Sequence, residues 1–373
     1  MSPIDYIKDF RDSKRIKALA KLIQNEVDRP INIMEVCGGH THTIMKYGLK
    51  QLLPDEIDFI HGPGCPVCIM PKERIDHAIT LAQDENNILA TLGDMIRVPG
   101  SKSSLQKERA KGKNIKVVYA PFDALKLAKD NPTKNIIYFA IGFETTTPMT
   151  AALIDKVLKE NIKNIYFHIN HVLVPPPIKA IMDSKEAIID AFIGPSHVSV
   201  IAGAKIYQEI VDLYKTPVVV AGFEPLDILE SILWIIRQFK ENRREVEIQY
   251  SRAVTWEGNI KAQQLINKYM QPRENFRWRG IGDIPYSALK LKDDYAEIDA
   301  EKVFLDILPN EAIDDHKLCI CGDILKGTAK PYDCKVFGTA CTPQNPLGSC
   351  MVSSEGACAA YYKYGKVKLV KEV

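Results

Sequence analysis

The chain has 373 residues, more than one hydrophobic core usually serves, so two or three domains are expected. Lys and Arg number 49 against 47 Asp and Glu, and a formal charge of +2 gives no basic excess for nucleic acid. No stretch approaches the roughly 18 apolar residues of a membrane span. Met1 to Arg15 is too charged for the apolar part of a signal peptide, so a cytoplasmic chain with reduced thiols is expected.

Ile7, Phe10, Ile16, Leu19, Leu22 and Ile23 recur at roughly helical spacing and predict a surface helix or helix pair at the start. From Ile31 onward, short apolar runs alternate with helical segments. The expected strands are 31–36, 57–61, 88–92, 117–120, 136–141, 165–169, 191–193 and 218–221. Such alternation defines an α/β chain with parallel sheets, in which loops at the C-terminal strand ends meet ligands.

The eight strands read as four repeated twice. Gly38-x-x-Thr41-x-Thr43 matches Gly142-x-x-Thr145-x-Thr147 at an offset of 104. Ala120-x-Phe122-Asp123-x-Leu125 matches Ala221-x-Phe223-Glu224-x-Leu226, and Gly93 matches Gly194, both at 101. Three matches in order argue for duplication. Two related α/β domains are therefore expected, 1–125 and 126–250, with a third region over 251–373.

After Pro225 an amphipathic helix runs to about Lys240, then a charged connector, 241–247, then a helical stretch holding Glu257, Asn259 and Gln263. Residues 271–315 contain turns at Arg277-Trp-Arg-Gly280 and Gly282-Asp-Ile-Pro285 and no cysteine. From Leu318 the chain is rich in Gly, Pro and Cys, as expected of loops and short helices wrapped on a metal centre.

Of nine cysteines, six lie from Cys319 onward, at Cys319, Cys321, Cys334, Cys341, Cys350 and Cys358. An odd number in a reduced compartment points to metal binding or redox chemistry. Gly62-Pro-Gly-Cys65-Pro-Val-Cys68 falls between a strand and a helix starting near Lys72, where helix N–H groups can lower a thiol pKa. No second C-x-x-C completes a zinc site there, which favours a redox-active dithiol. Cys37-Gly-Gly-His40-Thr-His42 ends the first strand; its thiol and imidazoles suit a metal, and a buried structural cysteine fits equally. Four thiolates among the last six cysteines suit either a [4Fe–4S] cluster or zinc, and spacing alone does not separate them.

Weaker features carry ordinary readings. Phe143-Glu-Thr-Thr-Thr-Pro148 suits an anion-holding loop or a capping turn. Pro175-Pro-Pro177 reads as a stiff loop, Trp234 as core and Arg243-Arg244 as a solvated helix end. His168, His171 and His197 read as hydrogen-bonded structural residues.

Taken together, Cys37-Gly-Gly-His-Thr-His42, Gly62-Pro-Gly-Cys-Pro-Val-Cys68, Gly142-Phe-Glu-Thr-Thr146, Gly194-Pro-Ser-His-Val198, Glu257-Gly-Asn259 and Met351-Val-Ser-Ser-Glu-Gly-Ala-Cys358 resemble the HypD family of hydrogenase maturation factors. The resemblance spans about residues 30 to 364. It implies two related α/β domains with a C-terminal iron–sulfur domain, and a role in building the Fe(CN)2CO unit of [NiFe] hydrogenases. It implies partnership with HypC, which shares the iron, and with HypE, which supplies cyanide as a thiocyanate. By the same resemblance Cys37, near His40, helps hold the iron, and Cys65 and Cys68 form the redox dithiol. Cys319, Cys334, Cys341 and Cys358 would ligate the cluster, with Cys321 and Cys350 as an adjacent disulfide pair.

Releasing cyanide from an S–CN carbon while leaving a thiolate takes two electrons, the number a dithiol yields on closing to a disulfide. The alternative is a thiol–disulfide oxidoreductase similar to ferredoxin:thioredoxin reductase, in which Cys37 and His40 would be idle. A zinc-stabilised binding protein would instead be colourless.

Overall fold

The computed structural model describes residues 5, 8–311, 313 and 315–365, so Ile7 lies outside the described residues. A Ser13–Glu26 helix, capped by Asp12 accepting the Arg15 N–H, packs its Ala20 and Ile23 inward. Nine strands then build two parallel sheets: β1 Ile31–Glu35, β2 Ile57–His61, β3 Asn87–Leu92, β4 Ile115–Val118, β5 Asn135–Gly142, β6 Ile165–His171, β7 Ala191–Pro195, β8 Val218–Ala221 and β9 Val246–Ile248. The first eight overlap the apolar runs, although β4, Ile115–Val118, begins and ends two residues before the expected 117–120. Ile, Val and Phe fill both faces because helices cover each sheet on two sides. Among the described residues no helix is long and apolar enough to cross a membrane.

One sheet has the order β2-β1-β7-β8-β9 and the other β4-β3-β5-β6. Under the repeat, β1 to β4 correspond to β5 to β8. The order β2-β1-β7-β8 then maps onto β6-β5-β3-β4, the second sheet read backwards. The two sheets are thus related as a duplication requires, yet each is built from half of either repeat. A cut at residue 125 or 250 does not separate them, because β1 pairs with β7 and β3 with β5. Strand pairing therefore replaces the contiguous domains 1–125 and 126–250 with interleaved ones.

Other expectations also shift. Pro121 and Pro225 each open the next helix, and Asp123 and Asp227 each accept an N–H at its start. The true equivalence therefore runs Pro121 to Pro225, not Phe122 to Phe223. Pro175-Pro-Pro177 is no loop but the first turn of the Pro175–Met182 helix, where missing N–H groups cost nothing. The charged connector runs into β9 at Val246, and β9 pairs through its backbone with β8 although its side chains are only half buried.

Residues 270–291 form two short antiparallel pairs, Met270–Pro272 with Leu289–Leu291 and Asn275–Trp278 with Gly282–Pro285. Among the described residues the last third forms no separate core. Trp278, Ile324, Cys350 and Met351 join the buried cluster that holds Cys65, Cys68, Phe139 and Phe192.

Candidate functional site

In the five-stranded sheet the chain leaves β1 toward β2 on one side and β7 toward β8 on the other. The crevice between the ends of β1 and β7 is the position where open α/β sheets bind ligands. Cys37 follows β1 and caps the Gly38–Lys46 helix, its Sγ accepting the Gly39 N–H at 3.4 Å. Gly38 and Gly64 are required by close approach: a methyl at Gly38 would collide with Glu355, and one at Gly64 with the Cys37 backbone. Burial, then the nearby Glu355 carboxylate, pushes the Cys37 thiol well above its usual range.

His40 sits on the first turn after Cys37, fully buried, its ring stacked on Phe223 with centroids 4.6 Å apart. Nε2 lies 3.0 Å from the Gly222 carbonyl, which can only accept, so Nε2 carries the proton and Nδ1 the lone pair. Nδ1 is buried without a partner. Burial, then the neighbouring His197, holds His40 neutral with a pKa lowered to about 3. A neutral imidazole with a free lone pair, on the same turn as a thiol, has the donor character of a metal ligand.

Beneath this turn lies a polar chain that sequence reasoning missed. Glu35 is fully buried, accepts the Cys37 N–H at 3.1 Å and the Thr41 hydroxyl, and meets His61 Nδ1 at 2.6 Å. His61 Nε2 lies 3.1 Å from the Tyr361 hydroxyl. Burial raises the Glu35 pKa against the pull of His61. Glu35 and His61 are register partners at the ends of β1 and β2. Each strand carries a second polar residue, Asn32 or Asp58, that is only half-buried; the available signal was an acid and a histidine closing two neighbouring buried strands.

Cys65 and Cys68 follow β2 in a tight turn and are buried, and the Cys68 N–H donates to the Cys65 carbonyl at 3.0 Å. The next helix starts only at Lys72, and burial raises the Cys68 thiol rather than lowering it. The expected helix-terminus activation is therefore absent at Cys68. The Ser349 hydroxyl donates to the Cys68 carbonyl, which seats the C-terminal segment on this turn. Cys350 thereby touches Cys68, Cys68 touches Cys65, and Cys350 also touches Cys321. Donation from Cys321, then Cys68, lowers the Cys350 thiol below its usual range.

Cys321 lies 3.3 Å from Cys319 and in contact with Cys358. A methyl on Gly348 would strike the Cys319 and Cys321 sulfurs, and the neighbouring Leu347 N–H donates to Cys341 Sγ. Cys334 is half-buried, its thiol 3.8 Å from the Leu318 carbonyl. Among the described residues no group of three or more His, Cys, Asp or Glu side chains is arranged to hold a metal ion, and none of the nine thiols is in a disulfide. Cys319, Cys350 and Cys358 each contact Cys321.

Of the histidines read as structural, His168 meets His77 at 3.1 Å and His171 meets the Thr150 hydroxyl at 2.9 Å. His197 Nδ1 is buried without a partner. Thr146 stands at a helix start but turns its hydroxyl back to the Phe143 carbonyl, so it caps no N–H.

A thiol-bearing α/β scaffold with cysteines from both chain ends gathered at one sheet edge is what the fold and site define. The description "Hydrogenase formation hypA family", under the name HypD, matches residues 14–365. A hydrogenase maturation factor HypD2 of Bradyrhizobium diazoefficiens is 49% identical over 372 residues, 97% of each chain. HupD, a hydrogenase expression/formation protein of Azotobacter chroococcum, is 50% identical over 97% of each. HypD of Escherichia coli is 43% identical over 96% of this chain and 98% of its own. The chain belongs to the HypD family of hydrogenase maturation factors.

Proposed function

We propose that this chain is a redox-active scaffold on which the Fe(CN)2CO unit of [NiFe] hydrogenase is assembled with HypC, cyanide arriving as the thiocyanate carried by HypE. One observation carries this reading: the unbroken line of thiols from Cys65 through Cys68 and Cys350 to Cys321, ending beside Cys319 and Cys358. Cys37 and His40 hold the incoming iron as substrate, through a soft thiolate and the His40 Nδ1 lone pair.

The Cys65–Cys68 dithiol closes to a disulfide and yields two electrons and two protons. The electrons reduce the S–CN bond, giving cyanide and the donor's thiolate. Cys350 and Cys321 then restore the dithiol by thiol–disulfide exchange, themselves becoming the disulfide. Cys319, Cys334, Cys341 and Cys358 have the donor character for a [4Fe–4S] cluster, and the bare Gly348 leaves room among the sulfurs. When bound, that cluster supplies electrons singly.

The test is anaerobic purification with iron analysis and infrared spectroscopy after coexpression with the partners. Brown protein with about four cluster irons is expected. Further iron should be lost in Cys37→Ala, and cyanide bands should vanish in Cys68→Ala. Cyanide bands persisting in Cys68→Ala would remove the dithiol step. Equal iron in wild type and Cys37→Ala would favour the thiol–disulfide oxidoreductase, and colourless zinc protein would exclude both.

A further inference from the structure

The scaffold reading leaves unused a cavity of about 480 Å³ off the C-terminal ends of β5 and β6, a size typical of small-molecule sites. Glu144 and Thr147 line it from the head of the Thr147–Lys159 helix, Leu173 and Pro175 from the segment after β6, and Ile201 and Ile266 from the far side. Its wall is mostly hydrocarbon, which makes Glu144 conspicuous.

Glu144 is 8% exposed. One carboxyl oxygen accepts the Val174 N–H at 3.0 Å, and the other is buried with no partner. The adjacent Thr145 hydroxyl is also buried and unpartnered. Buried acceptors are seldom left unmet without a ligand or water to fill them. Lys205, the cation in the lining, is bound to Glu257 at 2.5 Å, and Lys179 holds Glu209 at 2.6 Å. The unmet oxygen therefore has no cation of the lining to pair with.

Position adds a second argument. In the offset that relates Gly38 to Gly142, Glu144 takes the place of His40. The first repeat carries a thiol and an imidazole on this turn, and the second carries a carboxyl and hydroxyls. Soft donors in one copy and hard oxygen acceptors in the other select different partners.

We propose that the cavity binds a small organic cation, an ammonium or amidinium group on an apolar body. Its N–H donates to the free Glu144 oxygen while the body covers the hydrocarbon wall. The buried Tyr207 feels the charge of both Glu144 and Cys37, so the cavity adjoins the thiol turn, but cation binding does not depend on the thiol chemistry.

Calorimetric titration of the full chain with benzamidine, benzylamine and benzyl alcohol tests this. Both cations should bind saturably, with benzyl alcohol at least about tenfold weaker, and Glu144→Gln should weaken the cations by at least about tenfold. Equal binding of the alcohol, equal binding to Glu144→Gln, or no saturable binding of either cation would overturn it. Ile266→Trp adds bulk to the cavity from the Ile260–Tyr269 helix and leaves Glu144 itself unaltered. It should block the cations, so undiminished binding in that variant overturns the proposal even where Glu144→Gln fails to fold.

Discussion

Cys37 keeps its place because the residue opposite it has no side chain. Alanine at Gly64 would drive a methyl into the Cys37 backbone, which is fixed by β1 on one side and the Gly38–Lys46 helix on the other. Gly64→Ala should cost about 1–3 kcal/mol of stability, read as a lower urea midpoint, and a midpoint matching wild type would mean the turn can give way. Glu144 makes a different prediction. Burial raises its pKa from 4.5 to about 7, so the folded chain keeps a proton that the unfolded chain releases first. This contribution is complete below pH 4.5, declines as pH rises, and is gone above about 7. Glutamine does not ionise, so Glu144→Gln should gain on wild type by about 2–3 kcal/mol between pH 5 and pH 8. An unchanging gap in urea unfolding across that range would mean the carboxyl is solvated. The cysteines of the site were legible in sequence because their chemistry is rare and their spacing specific. Glu35 and Glu144 were not, because an acid beside a helix start looks like an ordinary cap until its burial is known.

Elements with strong local signals were legible: eight apolar runs became strands, and the stretch after Pro225 is the Pro225–Lys240 helix. The signal failed where tertiary contact decides. A run of prolines is compatible with a loop or a first helical turn, and β9 owes its strand form to pairing with β8. The antiparallel pairs of residues 270–291 are likewise held by what they lie against. Glu301, on the short Ala300–Val303 helix, shows how that region is fastened to the sheets. Arg74 reaches it at 2.5 and 2.8 Å and Asn170 at 2.6 Å, while Arg273 reaches Glu301 at 2.6 and 3.0 Å. Arg74→Met keeps the bulk but leaves the mostly buried Glu301 with one cation in place of two. Removing one partner from a buried ion pair costs about 3 kcal/mol, and Arg273 sets this as an upper value. The urea midpoint should fall with the slope unchanged, and an unmoved midpoint would assign the fastening to Arg273 alone.

At the scale of the whole molecule, the repeat announced two similar halves but not which copy each strand pairs with. Identical sheets arise whether β1 and β2 join β3 and β4 or exchange with the other repeat, since the contacts are of the same kind. Sequence similarity is blind to that choice, as it is in domain swapping. The exchange has a physical consequence. Residues 1–133 hold β1 to β4 but lack β5 and β7, which cover the inner edges of β3 and β1. Ile33, Met34, Leu89 and Ala90 on those inner strands are fully buried in the intact chain. Cut there, both open edges would offer unpaired backbone and apolar side chains to water or to other chains. Residues 1–133 alone should therefore show no cooperative thermal transition and should aggregate. Coexpression with 134–373 should return a soluble complex whose circular dichroism matches the intact chain. A two-state melt of 1–133 by itself would mean that each repeat can close its own sheet, and that the exchange between copies is dispensable for folding.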